Sequence, residues 1–476
     1  MENWKKKAAL HNLGCKVNAY ETEAMGQLLS EAGYELVPFD ERADIYLINT
    51  CSVTNMADRK SRQMLHRARR QNPDALIVAA GCYVQAQAEE IVKTGAADLV
   101  IGNNQKGRLV ELLADYERER AVRITDGGEK AGRKNLAVID IAHTREYEEL
   151  SLKRTAEHTR AFVKIQDGCN QFCSYCIIPY TRGRIRSRKP EDIRSELGRL
   201  AEAGYREVVL TGIHLSSYGK DFDEPVSLLE IIRQVAGIRG IERIRLGSLE
   251  PRIITEEFVK GLAAIDKVCP HFHLSLQSGC NETLKRMNRH YTTEEYAGCC
   301  RLLRDYYGHP AITTDVIVGF PGETEEEFSE TLAFLRETAF YEMHIFKYSR
   351  RKGTKAAAMD SQVPEEIKTK RSGRALLLGA ELSGEFRSYY QGTKQELLLE
   401  EELEIEGRWY MTGFTKEYVK AAIELAGCSG MEQKLLVPGN IVPVTLAQKE
   451  GKAWEELLLA VPVSGFFEAC SLEKLV

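Results

Sequence analysis

The chain has 476 residues, 43% hydrophobic and 28% charged, with a net charge of −5 and twelve cysteines. This length exceeds one ordinary core and points to two or three domains; no apolar run is long enough to span a bilayer, and the start MENWKKKAAL lacks a signal-peptide core, so a cytoplasmic chain with no membrane partner is expected. Cysteines in a reducing compartment argue against a disulfide framework and for metal ligation, and the negative balance excludes bulk attraction to nucleic acid, leaving only local basic patches.

In chain order, residues 1–116 alternate short apolar runs (AALHNL, DIYLINT, ALIVAAG, DLVIG) with polar helical stretches such as ETEAMGQLLSEAG and DRKSRQMLHRARR. This predicts an open parallel α/β sheet. Residues 117–158 lose the periodicity and gain charge and glycine, apart from a short apolar LAVIDIA, and read as a linker or covering segment. Over 159–391 strands are predicted near 161–165, 207–210, 242–246, 272–276, 312–317 and 342–346, six β/α units of a partial (β/α)6 barrel. After a long helical pattern, 392–460 turns to KQELLLEE, RWYMTGF, YVKAAIEL and IVPVTLA, a small all-β barrel, followed by a tail over 461–476. The fold class is α/β.

The stretch DGCNQFCSYC places Cys169, Cys173 and Cys176 in one loop just after the first predicted barrel strand, where such barrels build sites, and no fourth ligand follows nearby. Zinc takes four ligands, or three plus water, commonly with CxxC pairs and histidine, whereas thiolates alone from one loop suit iron–sulfur chemistry. Three cysteines on a 4Fe-4S cluster leave one iron without a protein ligand. That position can bind a substrate or cofactor through an amine and a carboxylate.

A second set is scattered. Cys15, Cys51 and Cys82 each sit in the loop leaving the carboxyl end of a predicted parallel strand, and in such sheets those loops share the edge where ligands bind. Taken singly, each reads as a small buried hydrophobe. The threefold repetition of strand, cysteine and helix favours a second three-thiol site. Cys269, Cys280, Cys299, Cys300, Cys428 and Cys470 share no spacing and read as structural thiols, and His11, His214, His271, His273 and His290 as structural hydrogen-bonders.

CxxxCxxC in this setting resembles the radical S-adenosylmethionine superfamily. The resemblance implies reductive cleavage of that cofactor to methionine and a 5′-deoxyadenosyl radical. It also implies cofactor contacts from Tyr175, from Thr211 and Gly212 in LTGIHL, and from Ser248 and Glu250 in LGSLEP. With LGCKVNAYETE, NTCSVTNMADRKSRQ, GCYVQ, SLQSGCNETLKRMNRHYT and DVIVGFPGETEEEF, the chain closely resembles the methylthiotransferase family along nearly its whole length. What that family implies is an amino-terminal cluster domain, a radical barrel and a terminal TRAM domain. It further implies two 4Fe-4S clusters, and S-adenosylmethionine as both radical source and methyl donor. GCKVN and GFTKEYVKAAIE look most like the branch acting on N6-threonylcarbamoyladenosine at position 37 of tRNA. Sister branches act on isopentenyladenosine at that position or on an aspartate of a small-subunit ribosomal protein. A reducing system and a sulfur source are implied partners. A non-enzymatic iron–sulfur RNA-binding protein is the contrasting reading, and would normally cap its clusters with four ligands.

RNA contacts are expected from two basic segments, each directly after a thiol set. One contains Arg59, Lys60 and Arg62, followed by Arg67, Arg69 and Arg70; the other contains Arg182, Arg184, Arg186 and Arg188. If extended, the second run directs four guanidinium groups to one face. The terminal domain, with its EEELEIE stretch, is acidic and keeps the ribosomal-protein substrate open.

Overall fold

Two runs of the amino-terminal region, Ile45–Thr50 and Leu76–Gly81, are buried along their whole length, as a parallel sheet covered on both faces requires. The computed structural model describes residues 5–126, 135–153 and 159–463. Its first sheet contains β1 (Lys7–Asn12), β2 (Glu35–Val37), β3 (Ile45–Thr50), β4 (Leu76–Gly81), β5 (Leu99–Ile101) and β6 (Leu136–Ala137), in the order β2-β1-β3-β4-β5-β6 and parallel throughout. Strand order reverses between β1 and β3, which opens a crevice at their carboxyl ends. Helix Leu109–Asp126 runs past residue 116, and β6 pairs with β5, so part of the segment expected as a linker from 117 extends this domain.

The second domain is built on β7 (Arg160–Asp167), a two-residue antiparallel edge β8 (Arg186–Ser187), β9 (Glu207–Gly212), β10 (Arg243–Leu246), β11 (His271–His273), β12 (Ala311–Val318) and β13 (Glu342–Lys347). Neighbours pair in parallel from β7 through β9 to β10 and from β11 through β12 to β13. Across the β10–β11 seam there are only the isolated bridges Ile244–Val268 and Leu249–Leu274. Six parallel strands therefore curve into an incomplete barrel, with helices packed outside around Val163, Ile193, Leu197, Leu210, Ile232 and Phe272.

A 25-residue helix, Glu365–Tyr389, leads to the third domain. There β14 (Lys394–Ile405), β15 (Arg408–Phe414), β16 (Lys420–Glu424), β17 (Ile441–Ala447) and β18 (Leu458–Pro462) close in the order β14-β15-β16-β18-β17. β18 is absent from the sequence reading and crosses the boundary expected at 460. It pairs with both β16 and β17 and so removes the free edges that four strands would leave. This barrel docks on the second domain through arginines: Arg243 donates to the Glu396 and Phe414 carbonyls, and Arg245 to those of Thr415 and Lys416.

Candidate functional site

Cys15, Cys51 and Cys82 follow β1, β3 and β4, three adjacent strands, so their loops share the crevice at the reversal of strand order. Side chains hold these loops together. Asn18 Nδ2 donates to the Leu13 carbonyl at 2.7 Å and the Thr50 carbonyl at 3.0 Å, and the Thr50 hydroxyl donates to the Ala80 carbonyl at 2.5 Å. Gly14, at φ +106°, sits so close that a Cβ there would fall 2.9 Å from Cys51 Cβ and 3.0 Å from its sulfur. Burial pushes the Cys51 thiol up to about 11 and raises that of Cys15 as well. Cys15 still has open surface.

The second set leaves β7 on a turn that only glycine fits. Gly168 is at φ +71°, and a Cβ on it would overlap the Arg184 carbonyl at 1.8 Å. The Cys169 N–H donates to the Gly183 carbonyl and the Cys176 N–H to that of Cys173, each at 3.0 Å. Burial pushes the thiols of Cys169 and Cys176 up to about 11 and about 12. One sulfur of each set accepts from an arginine: Nε of the buried Arg182 lies 3.3 Å from Cys82 Sγ, and the half-buried Arg289 lies 3.3 Å from Cys173 Sγ. Thiols held neutral by burial become good ligands once a soft cation displaces their protons, and an arginine beside each set offsets the resulting negative charge. The all-sulfur donors and cationic flanks fit iron–sulfur clusters.

A cavity of about 200 Å³ is lined from both thiol-bearing regions, by Cys176 of one set and by residues just after Cys51 of the other. Val53 and Thr54, just after Cys51, line one wall; Tyr175, Cys176 and Ile177 line another; Asp315 and Ile317 of β12 and Phe346 of β13 form the floor. Of the residues expected to touch the cofactor, Tyr175 lines this cavity and meets the Phe320 ring edge-on at 6.4 Å. Thr211 and Gly212 end β9 and lie on the carboxyl rim of the strands, as does Glu250 after β10; Thr211 and Glu250 are buried. The Glu250 carboxylate accepts from Arg252 at 2.9 Å, and Ser248 is exposed.

The arginine run departs from expectation. Arg182, Arg186 and Arg188 are buried, so they cannot form a phosphate-binding face. The segment is not extended: helix Ile178–Arg182 ends at Gly183, at φ +72°, and only Arg186–Ser187 is strand. Arg182 bonds Glu21 at 2.7 Å, Asp167 at 3.2 Å and Asn18 at 2.5 Å, while Arg188 pairs with Glu196. Burial opposes ionisation of Glu21, yet Arg182, Lys106 and Lys164 hold its carboxyl well below the ordinary value. This network binds the first helix to β7. Arg184 alone of the four is exposed, with its guanidinium 4.7 Å above the Phe172 ring. Arg59, Lys60 and Arg62 lie exposed on helix Asn55–Gln71, where Arg62 donates to the Tyr83 hydroxyl at 3.2 Å.

Arg289 and Glu21 escaped the sequence reading. Their partners lie 116 and 161 residues away, so no local pattern marks them.

Fold and sites define a radical S-adenosylmethionine enzyme with a second thiol set. Residues 163–335 match the Radical SAM superfamily and residues 7–102 an uncharacterised family, UPF0004. The chain belongs to the methylthiotransferases of that superfamily. It is 43% identical to the threonylcarbamoyladenosine tRNA methylthiotransferase MtaB of Bacillus subtilis (strain 168), over 94% of this chain and 95% of that one. Its identity to the MtaB of Aquifex aeolicus (strain VF5) is 40%, over 83% and 93%. A tRNA-2-methylthio-N(6)-dimethylallyladenosine synthase of Pelotomaculum thermopropionicum is 39% identical over 83% and 87%. Among solved structures, the radical S-adenosylmethionine methyltransferase TsrM of Kitasatospora setae superposes with a TM-score of 0.52 over 74% of each chain at 17% identity, a likeness of fold. The cofactors of this family are 4Fe-4S clusters and S-adenosylmethionine.

Proposed function

We propose that this protein is a cytoplasmic tRNA methylthiotransferase that replaces the C2 hydrogen of N6-threonylcarbamoyladenosine at position 37 with a methylthio group. The observation that carries the reading is a cavity lined both by the loop after Cys51 and by the loop holding Cys176. A C2–H of adenine has no useful acidity, so proton-transfer catalysis cannot reach it. In this reading Cys169, Cys173 and Cys176 hold one cluster and Cys15, Cys51 and Cys82 the other. When bound, they and S-adenosylmethionine supply the hydrogen-abstracting radical, the sulfur and the methyl group.

The chain's own residues do the positioning. Tyr175 packs beside the cavity next to Cys176, and Thr211, Gly212, Ser248 and Glu250 offer polar groups along the rim where the cofactor would extend. Arg182 and Arg289 fix one sulfur in each set. For RNA phosphates the exposed cations are Arg59, Lys60, Arg62 and Arg184. A reductant and a sulfur source are the remaining partners.

One observation favours a tRNA substrate over the ribosomal-protein branch. The acidity that kept the ribosomal-protein reading open is partly consumed within the chain: Glu400 pairs with Arg160, and Glu396 and Glu401 lie 3.4 and 3.7 Å from Lys416 and Lys420. Mass spectrometry of tRNA nucleosides from cells lacking the protein tests the proposal. Threonylcarbamoyladenosine should accumulate without its methylthio form; an unchanged methylthio form would refute the assignment.

A further inference from the structure

Outside both thiol sets, three side chains with ligand-capable atoms converge in the bore of the barrel. On β11 and β12, Phe272, Ile312, Val316 and Val318 belong to the core beneath the outer helices, so the alternate residues His273, Thr313, Asp315 and Ile317 face inward. Strand register then sets which of them meet: Thr313 stands opposite His273, and Asp315 opposite His344 of β13. One ligand atom from each of His273, Asp315 and His344 lies within 4.8 Å of the others.

The surroundings of this cluster suit an ion. His273 Nε2 lies 3.2 Å from an Asp315 oxygen, close to the roughly 3.4 Å that separates donors placed tetrahedrally at about 2.0–2.1 Å from zinc. Its Nδ1 lies 2.9 Å from the Thr313 hydroxyl, the kind of outer partner that fixes the orientation of a ligating imidazole. The His344 ring stacks on that of His273 with centroids 5.6 Å apart. Neither the His344 nitrogens nor the second Asp315 oxygen has a hydrogen bond or ion pair among the described residues, and His344 is exposed, so its ring has room to turn toward an ion. Two imidazoles and one carboxylate suit zinc and its first-row neighbours, whereas magnesium and calcium take oxygen donors. Asp315 brings one carboxylate, and Glu342, two positions before His344 on the same face of β13, a second carboxyl group. The barrel arginines Arg245 and Arg160 are already paired with Glu207 at 2.9 and 3.8 Å, and Arg160 also with Glu400.

We propose that His273, Asp315 and His344 form a binding site for one zinc-class divalent cation. Three protein ligands leave a fourth position open, as in zinc sites that act on a bound oxygen rather than only brace a fold. Asp315 belongs both to this cluster and to the wall of the cavity that reaches Cys176, so the ion sits at the edge of that cavity. Water fills the open position, and an oxygen atom of a molecule entering the cavity can displace it. The ligand chemistry, nitrogen and oxygen in place of sulfur, separates this site from both thiol sets, and zinc binding here is independent of which base of a tRNA is modified.

The test uses the full-length protein with its clusters reconstituted, because empty thiol sets would themselves capture zinc. Zinc is added, the excess is removed by desalting, and metal per chain is measured together with the zinc X-ray absorption spectrum. Wild type should hold about one zinc per chain in a shell of nitrogen and oxygen at about 2.0–2.2 Å, with no sulfur. His273→Ala and His344→Ala should each weaken zinc binding by at least about tenfold in competition with a chelating dye, while keeping the iron content of wild type. Should His273→Ala fail to fold, His344→Ala, at an exposed position, decides alone. A wild type that holds no zinc, a zinc shell that contains sulfur, or zinc affinity left unchanged by His344→Ala would overturn the proposal.

Discussion

Replacing Arg182 with alanine distinguishes a structural arginine from an RNA contact. The side chain is fully buried and bonds Glu21 at 2.7 Å, Asp167 at 3.2 Å, Asn18 at 2.5 Å and the Cys82 sulfur at 3.3 Å. Breaking a buried ion pair by removing one partner costs about 3–5 kcal/mol. Here Glu21 keeps Lys106 and Lys164, and Asp167 keeps Lys164 and Arg186, so neither carboxylate is abandoned and the lower end applies, about 3 kcal/mol. For a domain of 150–250 residues each kcal/mol moves the midpoint by roughly 2–4 °C, so Tm should fall by about 6–12 °C. Circular-dichroism melting of the iron-free protein reads this directly, and iron per chain after reconstitution should fall toward half as Cys82 loses its donor. A variant that melts like wild type while the salt dependence of tRNA binding flattens would refute the buried-network account.

Arg184→Ala should do the reverse: little change in melting, and a counterion-release slope shallower by about one unit in tRNA titrations against salt. Cys173→Ala should lose roughly half the iron and abolish 5′-deoxyadenosine formation, whereas Cys51→Ala should keep that cleavage measurable by chromatography and stop sulfur transfer. Gly168→Ala should abolish iron binding by the Cys169 set, since its Cβ would overlap the Arg184 carbonyl at 1.8 Å; normal iron content would show that the turn is not required. Burial holds His214 down at about 4, below its ordinary 6.5, so the unfolded chain binds the extra proton first as pH falls. Stability should therefore be full above about 6.5 and decline toward 4 by up to about 3 kcal/mol, a slope that His214→Asn should reduce in denaturant titrations at stepped pH.

The six barrel strands were legible because each is a compact apolar run between helical stretches, and the parallel sheet because its strands are apolar on both faces. The two-residue strands β6 and β8 are too short to carry a period. β18 was missed because its five residues follow a polar loop, and its partners β16 and β17 are fixed only by barrel closure. At the sites, the two thiol sets were visible because Cys15, Cys51 and Cys82 each follow a predicted parallel strand and Cys169, Cys173 and Cys176 share one loop after another. Arginine burial was not visible. Alternating Arg182, Arg184, Arg186 and Arg188 look like a solvated ribbon until Glu21, far earlier in the chain, is brought against them. His273, Asp315 and His344 lie on separate strands, and only the ladder register shows that they meet.

The most direct test of the central claim is in vitro. Anaerobically reconstituted protein is incubated with dithionite, a sulfur source, S-adenosylmethionine and tRNA carrying N6-threonylcarbamoyladenosine, and the digested nucleosides are resolved by mass spectrometry. Conversion of that nucleoside to its C2-methylthio form, with unmodified and isopentenylated tRNA left unchanged, is the predicted result. Turnover of the isopentenylated tRNA instead, or modification of a ribosomal protein with no activity on any tRNA, would contradict it.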